Sequence, residues 1–261
     1  MSQSLQKPLA GDVDYGVHGK GYARQRRTDP RIAAFVHRAL GSARTVLNVG
    51  AGAGSYEPED RYVLAIEPSA AMRAQRPQHL TPAIRGIAEE LPLDERSVDA
   101  SMALITVHQW KNCEKGLNEM RRVTRGQIII LTFDGDALDR FWLADYAPQM
   151  IAVESRRFPK IDKICKILGG NTEVQTIPIP IDCIDGFNEA FYARPEQFLD
   201  PAVRRSQSAW SFVDEKVQEK FVKTLRDDLE SGVWDQRYGP WRTKPSYDGS
   251  LRLIVSHPEG R

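Results

Sequence analysis

The run Thr45-Val46-Leu47-Asn48-Val49, followed at once by Gly50-Ala51-Gly52-Ala53-Gly54, limits what this chain can fold into more than any other feature. A β-branched, apolar run reads as a buried strand. Three glycines at alternate positions let the backbone behind it turn sharply and approach a ligand with no Cβ in the way. A second apolar run, Tyr62 to Ile66, ends in Glu67. A carboxylate at that tip is placed to accept both hydroxyls of a ribose, as in open sheets that bind ligands beyond the carboxyl ends of their strands. Only 12 residues, Gly50 to Arg61, join the two runs. A parallel crossover needs at least about a dozen, so the usual helix is predicted to shrink to a turn or so. Dinucleotide sites prefer Gly-x-Gly-x-x-Gly/Ala, with a long helix aiming its N-terminus at a pyrophosphate. Here the third position is Ser55. The loop therefore favours an adenosine cofactor with an amino-acid tail. A nicotinamide-dependent oxidoreductase is the alternative, and a cofactor-binding module without catalysis is another.

Around this loop the signals alternate between strand and helix. Asp29-Pro30 opens a helix with Ile32, Phe35, Val36 and Ala39 on one face and Gly41 as its stop. Pro68-Ser69 opens a short helix through Arg76. Residues 83–88 and 98–105 read as the third and fourth strands, 112–124 as a helix, and 127–133 as a strand apolar on both faces. A helix carrying Ile161, Ile164, Cys165 and Leu168 stops at Gly169-Gly170. Residues 177–184 read as a strand near an edge because of Pro178 and Pro180. A long amphipathic helix over 213–230 and a last strand over 250–256 complete the pattern. This alternation predicts an α/β, doubly wound, mostly parallel sheet, in a single domain over residues 1–261.

Composition narrows the function. Lys plus Arg is 36 against Asp plus Glu 35, a net charge of +1, which argues against a dedicated nucleic-acid binder. Apolar runs of about five residues fall far short of the ~20 that span a bilayer. Residues 1–9 hold no apolar stretch suited to a signal peptide. Cys113, Cys165 and Cys183 have no metal-ligand spacing, so no metal is expected and a cytoplasmic location is the simplest reading.

Several stretches, in this order and spacing, resemble a known family: Leu47 to Gly54; Ala65-Ile66-Glu67-Pro68-Ser69 ahead of Met72; Ala88-Glu89-Glu90-Leu91-Pro92-Leu93; Ser97-Val98-Asp99-Ala100; and Glu119-Met120-Arg121-Arg122-Val123. The chain is similar to class I S-adenosylmethionine-dependent methyltransferases, in the branch typified by ubiquinone- and menaquinone-biosynthesis enzymes (methyltransferase type 11). That resemblance implies a Rossmann-like, seven-stranded sheet with an antiparallel last strand, under a helical and loop cap. It implies S-adenosylmethionine as cofactor and a small-molecule acceptor. Gly50, Gly52 and Gly54 would lie against the methionine part, and Glu67 would bind the ribose. Pro68 and Met72 would line the adenine pocket with Ala88 and Glu89 at its edge, while Ile105 and Thr106 would contact the aminoacyl group. Asn48 stands where the family usually has Asp, and Ile87 stands where an Asp often bonds the adenine amine.

Methyl transfer asks mainly for positioning, and a general base is needed only if the acceptor must lose a proton. His108, just past the fourth strand, is the catalytic candidate; a structural histidine is the equal alternative. The segment after that strand, Leu104-Ile105-Thr106-Val107, lacks the Asp/Asn-Pro-Pro-aromatic motif that marks methylation of DNA-base or glutamine amines. Residues 11–28, 136–158 and 185–248 are expected to cover the site. They carry Tyr15, Tyr22, Trp142, Tyr146, Phe187, Tyr192 and Trp210. The cluster Arg24, Arg26 and Arg27 reads either as a solvated face or, because Tyr22 is adjacent, as a lid in which Arg27 pairs with the cofactor carboxylate or an anionic substrate; Tyr15 and Tyr22 are expected with it on the cofactor.

Overall fold

The computed structural model describes residues 26–258. The first helix, α1 (Pro30–Ala39), begins as the sequence predicts: the Asp29 side chain accepts from Arg31 N, and Pro30 occupies the first turn. Strands β1 (Thr45–Val49) and β2 (Tyr62–Ile66) follow, then the short α2 (Ala70–Arg73) capped by Ser69. Next come β3 (Ala100–Leu104), α3 (Cys113–Val123) and β4 (Ile128–Phe133). Helices α4 (Leu143–Tyr146), α5 (Pro148–Arg157) and α6 (Ile161–Leu168) lead to β5 (Asn171–Thr176) and the two-residue β6 (Ile179–Pro180). The remainder holds α7 (Pro201–Arg205), α8 (Glu215–Glu230), α9 (Val233–Tyr238), β7 (Ser246–Tyr247) and β8 (Leu251–His257).

Six strands make the main sheet among the described residues, in the order β2-β1-β3-β4-β8-β5. Strands β1 to β4 run parallel, and β8 lies antiparallel between β4 and β5. Alternation along the strands sends Val46, Met102, Ile129, Leu131 and Leu253 to one face, where they pack with α1 and the aromatic-rich segments after β4. Leu47, Ala103, Ile128, Ile130 and Ile254 go to the other face, against α3 and α6. Both faces are thus covered, as the apolar β4 sequence requires.

Two strand assignments are corrected. The third strand expected over 83–88 is reduced to one parallel bridge, Ile66 to Ile84, so the sheet has six strands among the described residues rather than the expected seven. Pro82 and Gly86 stand two residues to either side of Ile84 and interrupt a regular ladder. The expected strand over 177–184 contributes only β6, paired with β7 in a separate ribbon. The true edge strand starts directly at Asn171; its polar residues gave no apolar signal.

Candidate active site

The glycine loop is built from backbone that needs glycine. Gly50, Gly52 and Gly54 have φ of +70°, +53° and +95°. A Cβ on Gly50 would overlap Thr106 Oγ1, and one on Gly54 would overlap Leu80 Cδ1. The Gly50 and Ala51 amides both bond Ile66 O at 2.9 Å, tying the loop to the end of β2. There Glu67 is 7% exposed and accepts from Gly52 N (2.9 Å) and Ser69 N (2.8 Å). Burial pushes its carboxyl up, and the two amide bonds pull it back. A carboxylate has about four lone-pair sites; two are used, which leaves room for two hydroxyl donors. No helix occupies the crossover from Gly50 to Arg61, so no helix N-terminus faces the loop from there.

Asn48 donates from Nδ2 to Glu57 Oε1 at 2.8 Å, while its buried Oδ1 has no hydrogen-bond partner among the described residues. Glu57 in turn forms a buried bidentate pair with Arg76, at 3.0 and 2.8 Å. An orphaned buried acceptor beside a glycine cradle suits a ligand with an ammonium group. The donor set therefore fits S-adenosylmethionine: hydroxyl acceptors at Glu67, an acceptor at Asn48, and main chain open to close approach. Met72 and Ala88 are buried; Met72 Cε lies against Gly52, and Ala88 packs on Gly116. Pro68 is half-buried at the β2 exit, where Arg73 Nη1 bonds both Glu67 O and Pro68 O at 2.8 Å. Glu89 accepts from Asn112 N (2.9 Å) and so fixes the start of α3. Ile105 turns at φ +53°, a rare value for a β-branched residue, and leaves Thr106 against Gly50.

Next to this end of β3 lies a narrow hollow of about 30 Å³ within a recess of about 490 Å³ that includes its open mouth. His108 and Ile105 line it with Phe133, Phe158 and Phe187. The His108 ring lies 4.5 Å from Phe158, and Phe133 lies 5.3 Å from Phe158 and 5.2 Å from Phe187. Burial, then the Arg157 and Arg26 charges, hold His108 well below the usual histidine range, so its imidazole is neutral. A second cleft, about 650 Å³, runs past Ala53, Gly54 and Ser55. Arg26 lines both. Its side chain pairs with Asp185 at 2.6 Å, and Tyr56 donates to the same carboxylate at 2.7 Å.

Of the expected covering residues, Tyr15, Tyr22 and Arg24 lie outside the described residues. Arg27 is exposed and lines neither cleft; of the two described members of the cluster, Arg26 turns inward. Trp142, Tyr192 and Trp210 are core, and only Phe187 of the described aromatics named above lines the hollow. Sequence reasoning missed Tyr56, Phe158, Asp185, Asn188 and Glu189. The polar pair in Phe187-Asn188-Glu189-Ala190-Phe191 was the available signal.

Glu189 is fully buried, bonded to Ser250 N (2.9 Å) and Ser250 Oγ (2.6 Å). Burial raises its carboxyl to about 7, against the opposing pull of Ser250. An unfolded Glu titrates near ~4.3, so between there and about 7 the folded chain holds the extra proton. Its stabilising contribution is complete below the unfolded value and is lost as pH rises through the folded one. Wild type should lose about 3 kcal/mol relative to Glu189→Gln between about pH 4.5 and 8, as read by urea unfolding. Parallel stability curves for the two proteins would refute this.

A methyltransferase-domain family model matches residues 47–132. A crystal structure from Anabaena variabilis, of a protein named as a putative methyltransferase from an antibiotic biosynthesis pathway, is 30% identical with a TM-score of 0.82. The alignment covers 89% of this chain and 98% of that one. A Thermotoga maritima S-adenosylmethionine-dependent methyltransferase shares the fold at 15% identity and TM-score 0.55, over 94% and 96% of the two chains. Uncharacterized methyltransferases of Mycobacterium tuberculosis and Mycobacterium bovis are 38% identical over 92 residues, which is 32% of this chain and 37% of theirs. The chain spans little more than a third of those curated relatives. It belongs to the class I S-adenosylmethionine-dependent methyltransferase family. Among the described residues no helix is long and apolar enough to cross a membrane, and no His/Cys/Asp/Glu group could hold a metal ion.

Proposed function

We propose that the chain transfers a methyl group from S-adenosylmethionine to a small, largely apolar acceptor. The observation that carries this is the glycine loop with the half-satisfied Glu67 carboxylate on one side and the orphaned Asn48 Oδ1 on the other. When bound, the cofactor supplies a methyl group on a positively charged sulfur, electrophilic enough for direct displacement. Glu67 would hold the ribose hydroxyls and Asn48 Oδ1 the ammonium of the amino-acid tail, with Pro68, Met72, Ala88 and Glu89 around the adenine. Ile105 and Thr106 would meet the aminoacyl group. Phe133, Phe158 and Phe187 keep water from the acceptor side, and aromatic faces near a cation add about 0.5–2 kcal/mol each. His108, neutral in this setting, is the group that would accept a proton on an imidazole nitrogen if the acceptor releases one.

The Anabaena relative and the resemblance to quinone-biosynthesis enzymes support a secondary-metabolite or quinone-like acceptor. The oxidoreductase alternative draws no support from a crossover without a helix. Calorimetric titration with S-adenosylhomocysteine tests the reading. Glu67→Ala should weaken that binding by about 10–100-fold, since a charged hydrogen bond is worth roughly 1.5–3 kcal/mol. Unchanged affinity would remove the ribose assignment. Transfer of label from radiolabelled cofactor to an acceptor in a metabolite extract separates an enzyme from a binding-only module.

A further inference from the structure

The lining of the hollow carries a buried amide oxygen that the described residues do not use. Asn188 is 6% exposed and lines the hollow. Its Nδ2 sits 4.0 Å from Met150 Sδ. A thioether is a weak acceptor, so the amide nitrogen belongs on that side. Met150 is not part of the lining, and Oδ1, at the other end of the amide, has no hydrogen-bond partner among the described residues.

The other polar side chains around it are engaged. Ser206 bonds Val203 O (2.7 Å), Gln207 bonds Gly186 O, and Glu189 bonds Ser250. Ser208 accepts from Arg157 (2.8 Å), and Arg26 pairs with Asp185. A buried acceptor left unpaired is costly, and the cost is recovered when a ligand brings a donor. Phe133 stands 5.3 Å from Phe158 and 5.2 Å from Phe187, within the range of favourable aromatic pairing, and the three rings suit a flat partner. The enclosed part, at about 30 Å³, admits only the edge of such a molecule, with the rest in the mouth.

We infer that the methyl acceptor is a flat, unsaturated ring that carries an O–H or N–H group, entering edge-first among Phe133, Phe158 and Phe187 with that donor bonded to Asn188 Oδ1. This deepens the proposed function and rests on it for naming the hollow as the acceptor side. Asn188 is then a specificity-determining residue: it selects rings with a donor over rings of the same shape without one.

Phenol and toluene, equal in shape and differing in the donor, are the probes. Binding is followed by NMR titration at the Phe133, Phe158 and Phe187 resonances, with and without saturating S-adenosylhomocysteine. Wild type should bind phenol about fivefold or more tightly than toluene, the worth of one hydrogen bond to a buried acceptor. Asn188→Leu should abolish or reverse the preference, and Asn188→Asp, which keeps an acceptor oxygen, should retain it. Equal binding of the two probes, no binding of either up to the solubility of toluene, or an unchanged preference in Asn188→Leu would overturn the inference. If Asn188→Leu does not fold, the wild-type ranking decides alone. Calorimetric uptake of S-adenosylhomocysteine in the same samples keeps the two readings apart. Uptake without a phenol preference removes this inference only. A phenol preference without uptake removes the proposed function and leaves the chemistry of the hollow standing.

Discussion

Gly50→Ala should cost the protein more than about 100-fold in S-adenosylhomocysteine affinity and about 2–4 kcal/mol in stability, from left-handed strain plus overpacking. The position has φ +70°, and an added Cβ would overlap the Thr106 hydroxyl, itself held at the end of β3. Relief requires either the loop or Thr106 to move, and both belong to the proposed cofactor grip. Gly169→Ala is the control. Its φ is +61°, yet no described residue lies within 4 Å of the added carbon. With ψ −165° this is backbone that glycine alone adopts readily, so the change should cost about 1–3 kcal/mol of strain and leave binding untouched. Calorimetry and thermal unfolding of the two variants give the answer. Normal ligand affinity in Gly50→Ala would show that the loop is not the grip.

Asp185→Ala should be the most damaging change away from the glycine loop, at about 3–5 kcal/mol, because Arg26 and the Tyr56 hydroxyl both lose the same buried carboxylate. The Asp185 side chain is 2% exposed and that of Arg26 10%. The same carboxylate accepts the Tyr56 hydroxyl, which helps hold Tyr56 at φ +63°. Tyr56 N also bonds Thr28 Oγ1 at 2.9 Å, so one carboxylate secures three separate stretches of chain. Asp185→Asn keeps a neutral acceptor and should lose less. Denaturant unfolding at constant pH measures both, and a loss below about 1 kcal/mol for the alanine variant would mean the pair contributes only as a surface ion pair does.

Helices α1, α2, α3, α6 and α8 and the parallel half of the sheet were legible because their signals are local, whereas α4, α5, α7 and α9 fell in stretches read only as covering segments. Asp29-Pro30, Ser69, Asn112 and Asp214 cap helices where their sequence context says they should. The glycine loop and Glu67 were legible for the same reason: strand, turn and carboxylate follow one another along the chain. The outer parts of the sheet were not. Residues 171–176 form an edge strand from polar residues, which carry no alternation to detect, and 83–88 lose their ladder to the preceding Pro82 and to Gly86. The acceptor side was least legible. Asn188 and Asp185 meet His108 and Arg26 across separations of 80 and more residues, and only tertiary packing brings them together. In the arginine cluster, composition could not tell Arg26 from Arg27. The antiparallel bridge between Arg26 and Asp185 makes that choice.

The outermost strand also bears on how copies of this molecule behave toward each other. Among the described residues β5 pairs only with β8, so its other side offers a free row of amides and carbonyls. Its sequence is Asn-Thr-Glu-Val-Gln-Thr, with five of the six residues exposed. A neighbour zipping onto that border would have to crowd Glu173 against its own copy or trap it without water, while gaining little oily contact in return. The border that was hardest to recognise in the sequence is for this reason the one that discourages fibre-like stacking in a crowded cell.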